Sequence, residues 1–141
     1  MIMRYLSEVG LTSLFDWILR RPRVLCADDD DSVRALCVVA LRRAGFAVET
    51  ASDGREAFDK ILHRRYAAIL LDLRLPHLHG ATVLGLLSQQ RPAVLRRVIL
   101  MTGMPEAAIA EVRGNVRDVA RKPVQLHRLV AMVKDCCAAK E

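Results

Sequence analysis

Five carboxylates, one hydroxyl and one ammonium stand where short apolar runs end. Asp28, Asp29, Asp30 and Asp31 follow the run Val24 to Ala27, Asp72 follows Ala67 to Leu71, Thr102 follows Val98 to Met101, and Lys122 comes just beyond Val116 to Ala120. If the first and third runs lie side by side, Asp28, Asp29 and Asp72 converge, and their repulsion pushes their pKa values up unless a cation sits among them. A divalent metal removes the conflict. An all-oxygen donor set without Cys or His suits Mg²⁺, which keeps several waters and leaves room for a phosphate oxygen. A carboxylate in that setting can attack phosphorus and become an aspartyl phosphate, a transfer governed by positioning and by neutralisation of the equatorial oxygens. The Lys122 ammonium and the Thr102 hydroxyl are placed to supply that neutralisation. A plainer role competes at one pair: Asp30 or Asp31, just before Ser32-Val33-Arg34, suits a helix N-cap. Capping accounts neither for Asp72, which precedes Leu73-Arg74-Leu75-Pro76, nor for a lysine closing an apolar run.

From Arg23 onward the apolar runs alternate with amphipathic stretches, the pattern of βαβ units over a parallel sheet. Five strands are expected, at Val24 to Ala27, Phe46 to Thr50, Ala67 to Leu71, Val98 to Met101 and Val116 to Ala120. Val33, Leu36, Cys37, Ala40 and Leu41 place one apolar stripe on a helix that stops at Gly45. The same reasoning gives helices near 54 to 64, 80 to 90, 106 to 113 and 125 to 138. Strands 1, 3 and 4 read as continuously apolar, hence buried on both faces. Right-handed crossovers then give a doubly wound α/β sheet, whose reactive site lies at the carboxyl ends of its central strands.

With 141 residues the chain accommodates one domain and a short appendage. Its 52% hydrophobic and 27% charged residues argue against disorder and against a disulfide scaffold. The net charge of +6 comes from 18 Arg against 4 Lys, scattered without a dense run or interleaved aromatics, so no direct nucleic-acid binding is expected. No apolar run reaches the ~20 residues of a membrane span, and Glu8 and Asp16 interrupt the stretch where a signal peptide would be apolar. The expectation is a cytoplasmic protein without membrane insertion. Cys26, Cys37, Cys136 and Cys137 form no C-x-x-C pair and are read as reduced. His77 and His79 are read as surface loop residues, and His63 and His127 as helix surface.

The segments VLCADDDD at 24 to 31, ILLDLRLPHLHG at 69 to 80, VILMTG at 98 to 103 and ARKPVQLHRLV at 120 to 130 agree in composition and in spacing with one known pattern. From Arg23 to about Lys134 the sequence resembles the receiver domain of two-component response regulators. That resemblance implies a flavodoxin-like sheet of strand order 2-1-3-4-5 with helices on both faces. It implies Asp72 as phosphoacceptor, Asp28 and Asp29 as the pair that positions Mg²⁺, and Arg74 as donor of a backbone carbonyl to the metal. Thr102 and Lys122 would contact the phosphoryl group, and a cis Lys122–Pro123 bond would aim the lysine at the site. The phosphoryl donor would be a phosphohistidine on a sensor histidine kinase or phosphotransfer protein. No DNA-binding or enzymatic output domain fits in the remaining length, so the output is expected through protein–protein contact with a downstream target, or through onward relay.

Two departures from the pattern bear on that output. Val119 stands where receivers often carry Tyr or Phe as a rotamer switch, and Gly103 stands where Ala or Ser is common. Arg74 and Met104, at the positions that tune dephosphorylation in this family, offer neither acid nor amide to orient water, which implies a long-lived phosphate. Two other readings stay open: a receiver-like interaction module that works without phosphorylation, and a Mg²⁺-dependent phosphohydrolase with an aspartate nucleophile. The second lacks a general acid two residues after Asp72. Residues 1 to 22 fall outside the resemblance. Ile2, Tyr5, Leu6 and Val9, then Leu14, Phe15 and Ile18 behind Ser13-x-x-Asp16, suggest two short helices that dock on their own domain or make a partner or homodimer contact.

Overall fold

Five strands and five α-helices alternate along residues 20–139, the part of the chain that the computed structural model describes. In chain order these are β1 (Arg23–Ala27), α1 (Asp31–Arg43), β2 (Ala47–Ala51), α2 (Gly54–His63), β3 (Ala68–Asp72), α3 (Gly80–Gln90), β4 (Val98–Thr102), α4 (Glu106–Val112), β5 (Asp118–Arg121) and α5 (Leu126–Ala138), with a 3₁₀ turn at Pro92–Arg97. All pairings are parallel and the strand order is β2-β1-β3-β4-β5. The central pair runs in register with Ala27 opposite Leu71, so the residues following them stand side by side.

Alternation along the strands fills two cores at once. Leu25, Ala27, Ile69, Leu71, Val98 and Leu100 face one side of the sheet, where Ile61 of α2 and Leu87 of α3 cover them. Val24, Cys26, Ala68, Leu70, Ile99 and Met101 face the other, under Cys37 and Leu41 of α1 and Leu129 and Val133 of α5. This is why β1, β3 and β4 read as unbroken apolar runs.

Local chemistry sets the boundaries that aim the site. The Asp30 carboxylate accepts hydrogen bonds from the Ser32 and Val33 N–H groups, which makes Asp30 the N-cap of α1. At the other end Gly45 adopts φ +98°, with Phe46 N–H donating to Leu41 O and Gly45 N–H to Arg42 O, a Schellman closure. That closure uses Phe46, so β2 begins at Ala47 and runs one residue later than expected. β5 also starts later than expected and is one residue shorter. Val116 is buried in the turn before it, and the strand starts at Asp118. One member of the expected α1 stripe is misplaced: Leu36 is 56% exposed, and Val39 is exposed as well. Leu36 sits about 100° around the helix from Cys37, at the margin of the stripe that Cys37 and Leu41 bury.

Of the helical extension expected over residues 1 to 22, with its docking, partner or homodimer contact, residues 1 to 19 lie outside the described residues. Among the described residues no helix is long and apolar enough to cross a membrane.

Candidate functional site

β1 and β3 end next to each other, and each delivers a carboxylate at its last turn of backbone. Asp28 is fully buried and Asp72 is 3% exposed. Asp29, the next residue along, is exposed. Oxygens of Asp28, Asp29 and Asp72 lie within 4.8 Å of one another. The backbone fixes two of these side chains: Asp30 N–H donates to Asp28 Oδ1 at 2.9 Å and Arg74 N–H donates to Asp72 Oδ1 at 2.9 Å. Arg34, one turn into α1, donates to the Asp28 carbonyl at 2.7 Å and anchors the β1–α1 turn from below.

Lys122 supplies the counter-charge. Its Nζ lies 2.9 Å from Asp72 Oδ2 and 3.1 Å from Asp28 Oδ2, bridging the two buried carboxylates. Lys122 N–H donates to Thr102 O at 2.9 Å, extending the β4–β5 ladder one residue past β5 and setting the lysine beside the ends of β1 and β3; the Lys122–Pro123 peptide is cis, as the resemblance implied. Burial works against the ammonium, but the hydrogen bonds and charges of Asp72 and Asp28 outweigh it and hold the Lys122 pKa above its ordinary value. For Asp72 the balance goes the other way. Burial raises its pKa, with the Asp28 charge adding to the rise, against the lowering effects of the Arg74 N–H and Lys122.

Asp29, Asp30, Asp72, Arg74, Gly103 and Lys122 line a cleft of about 340 Å³ above this cluster. Thr102, which ends β4, is 1% exposed and is not among the described residues lining the cleft; its Oγ1 accepts from Met104 N–H at 3.0 Å. The hydroxyl hydrogen is not used in that bond. Thus the structure gathers Asp28, Asp29, Asp72, Arg74 and Lys122 at one point and sets Thr102 beside it. His77 and His79 occupy the β3–α3 loop and, among the described residues, take no part in the carboxylate cluster.

The loop depends on two glycines that sequence reasoning passed over except as helix starts. A Cβ on Gly80 would lie 2.5 Å from Asp72 O and 2.6 Å from Leu73 Cα, and one on Gly54 would lie 1.6 Å from Leu78 O. Only a residue without a side chain lets the loop after Asp72 fold back over its own strand and across the start of α2. A glycine opening each of two helices was the available signal. Arg34 was also missed, since a basic residue in a first turn carries no mark of a carbonyl six positions earlier.

A family model for the response regulator receiver domain matches residues 24–134. The chain belongs to that family. The receiver matches the transcriptional regulatory protein PrrA of Mycobacterium tuberculosis with 37% identity over 127 residues, 90% of this chain and 51% of that protein. The chain therefore spans about half the length of the curated relatives it matches. Among solved structures, a response regulator from Chloroflexus aurantiacus is 29% identical with a TM-score of 0.75, covering 85% of this receiver and all of that chain. The receiver domain of the sensor histidine kinase PA1611 from Pseudomonas aeruginosa, solved with a magnesium ion in its active-site cleft, shares the fold at 23% identity and a TM-score of 0.76, over 84% of this chain and 99% of that one. The expected family and the expected fold, with strand order 2-1-3-4-5, are both borne out.

Proposed function

We propose that this receiver accepts a phosphoryl group on Asp72 from the phosphohistidine of a sensor histidine kinase or phosphotransfer protein, and signals by presenting an altered surface to a protein target. The carrying observation is the bridge from Lys122 Nζ to Asp72 and Asp28, at the carboxyl ends of β3 and β1. A cation already occupies the point between these carboxylates, which is the electrostatic requirement a metal there would share.

The donor set fits Mg²⁺. Asp28, Asp29 and Asp72 offer three hard oxygens at one point, with the Arg74 carbonyl as the resemblance adds, and among the described residues no nitrogen or sulfur ligand joins them. Bound there, the ion would supply neutralisation of phosphoryl charge. The chain's own residues do the rest. An Asp72 carboxylate oxygen forms the new P–O bond as the P–N bond to the donor imidazole breaks, and the leaving imidazole retains the electron pair and takes up a proton. Lys122 holds the carboxylate before transfer and compensates the phosphoryl oxygens after it. Thr102, whose hydroxyl hydrogen is not used in its bond to Met104 N–H, would direct it to a phosphoryl oxygen beside Gly103 on the cleft wall. Lys122 and the two buried carboxylates favour this reading over a phosphorylation-independent module, and an exposed arginine at position 74 gives a phosphohydrolase no general acid. For residues 24–134 the reading places contact with proteins, not nucleic acid, in a cytoplasmic setting.

Intact mass spectrometry after incubation with Mg²⁺ and acetyl phosphate tests the proposal. Wild type should gain the mass of one phosphoryl group and Asp72→Ala none. Equal labelling of both, or labelling of neither while far-UV circular dichroism shows both folded, overturns it.

A further inference from the structure

At the opposite end of the sheet from Asp72, the loops that lead into the strands deliver arginine after arginine. Arg21 and Arg23 enter β1, Arg65 precedes β3, Arg96 and Arg97 close the 3₁₀ turn before β4, and Arg117 precedes β5. In sequence they are scattered over nearly a hundred residues. The parallel topology brings them to one edge, because each strand of a parallel sheet starts on the same side. There they surround a cleft of about 560 Å³, with Ala67, Cys136, Cys137 and Ala139 as its small apolar floor. Among the described residues no carboxylate lines it. Glu49 reaches Arg23 from the side at 3.0 Å, but no described carboxylate pairs with Arg96 or Arg117.

We propose that this arginine-lined cleft is a binding site for a small oligophosphate ligand, a pyrophosphate group such as nucleoside di- and triphosphates carry. The planar guanidinium fork matches the oxygens of phosphate two at a time, which the ammonium of lysine does not, and among the described residues every cation lining the cleft is arginine. Arg96 and Arg117 approach from two separate strand entries, and Arg21, Arg23, Arg65 and Arg97, which keep interactions of their own, add positive charge around them, an arrangement suited to more than one linked phosphate. The volume falls in the range of small-molecule sites, roughly 300–1,000 Å³. A concave cleft with no aromatic side chain among the described residues of its lining is a poor platform for nucleic acid, which is bound along exposed stripes with bases stacked on aromatic rings.

Titration calorimetry on the full chain with magnesium-free sodium pyrophosphate, and separately with a nucleoside triphosphate, tests the site. Saturable binding of both is expected. Arg96 and Arg117 are exposed, so the double variant Arg96→Ala/Arg117→Ala keeps the fold. It should bind pyrophosphate at least about tenfold more weakly, the order expected for lost charge-assisted hydrogen bonds. Arg96→Lys/Arg117→Lys should also weaken binding, since charge without the fork is insufficient. Acetyl phosphate labelling of Asp72 should be unchanged in the alanine double variant, which separates this site from the carboxylate cluster. Three results overturn the proposal: no saturable binding of pyrophosphate, equal affinity of wild type and the alanine double variant, or tighter binding of a short DNA duplex than of either small ligand.

Discussion

Arg74, on the wall of the carboxylate cleft, and Met104, the residue after the cleft-lining Gly103, are the positions that the resemblance ties to how long a phosphoryl group would remain on Asp72. Water attacking the phosphorus needs a base or an amide to orient it. Arg74, exposed on the cleft wall, and Met104, whose N–H is held by Thr102 Oγ1, provide neither. The phosphorylated protein is therefore expected to decay over hours, not seconds, in buffer with Mg²⁺, as followed by intact mass against time. Met104→Gln, which introduces an amide, should shorten that lifetime several-fold, while a wild-type lifetime of seconds contradicts the argument. At this scale the sequence was most legible where a polar residue broke an apolar run, because Asp28, Asp72 and Thr102 each follow such a run; Lys122, behind Arg121 and a stretch holding Arg117 and Asp118, was legible from its place before Pro123. It was least legible where a residue acts through its backbone or its lack of side chain, as Asp30 N–H and Gly80 do.

Elements set the distances that single residues cannot. The β3–α3 loop returns over its own strand only because Gly80 approaches Asp72 O and Leu73 Cα more closely than any Cβ tolerates. Gly80→Ala should lower stability by about 1–3 kcal/mol, the range for overpacking, and should reduce Asp72 labelling because the shift falls on the Asp72 backbone itself. Urea denaturation and mass spectrometry read the two effects separately. A second element-scale prediction concerns the start of α2. Asp53 caps Glu56 N–H at 2.8 Å, and the Glu56 carboxylate accepts from Ser52 N–H at 3.1 Å, an arrangement like a capping box. The Ser52 N–H, with Lys60 adding to it, holds the Glu56 pKa below its ordinary value despite some burial. A carboxyl with a depressed folded pKa contributes stability above its unfolded pKa and loses it as pH falls through the folded value. Wild type should thus exceed Glu56→Gln by about 0.5 kcal/mol near neutrality, discounted for exposure, with the advantage fading below about pH 4. Thermal melts of both proteins across that window check the sign. The same scale shows where sequence periodicity reaches its limit. β1, β3 and β4 were readable because both faces are buried. Leu36 was not, because spacings of three and four admit a residue that lies about 100° around the helix from the buried Cys37. Phe46 left β2 because closing α1 used it first.

Across the whole molecule, strand order turns a scattered sequence into two charged ends, with carboxylates where β1 and β3 finish and arginines where the strands begin. Only topology makes this visible, since net charge alone reads as a diffuse positive surplus. At the acidic end the fold carries two buried carboxylates held by one ammonium, and a metal would compete for the same oxygens. At tenfold excess over its dissociation constant, Mg²⁺ should stabilise the folded chain by about 1.4 kcal/mol, a rise of roughly 3–6 °C in Tm for a domain of this size. Lys122→Met should destabilise the metal-free protein by about 2 kcal/mol, between the values for exposed and buried pairs, because Asp28 and Asp72 would face each other uncompensated. The same variant should then gain more from Mg²⁺ than wild type does, since the ion relieves repulsion that the lysine already relieves in the parent. Melting curves of both proteins over a Mg²⁺ series distinguish the cases. A gain in the variant no larger than in wild type would mean that ammonium and metal do not draw on the same carboxylates.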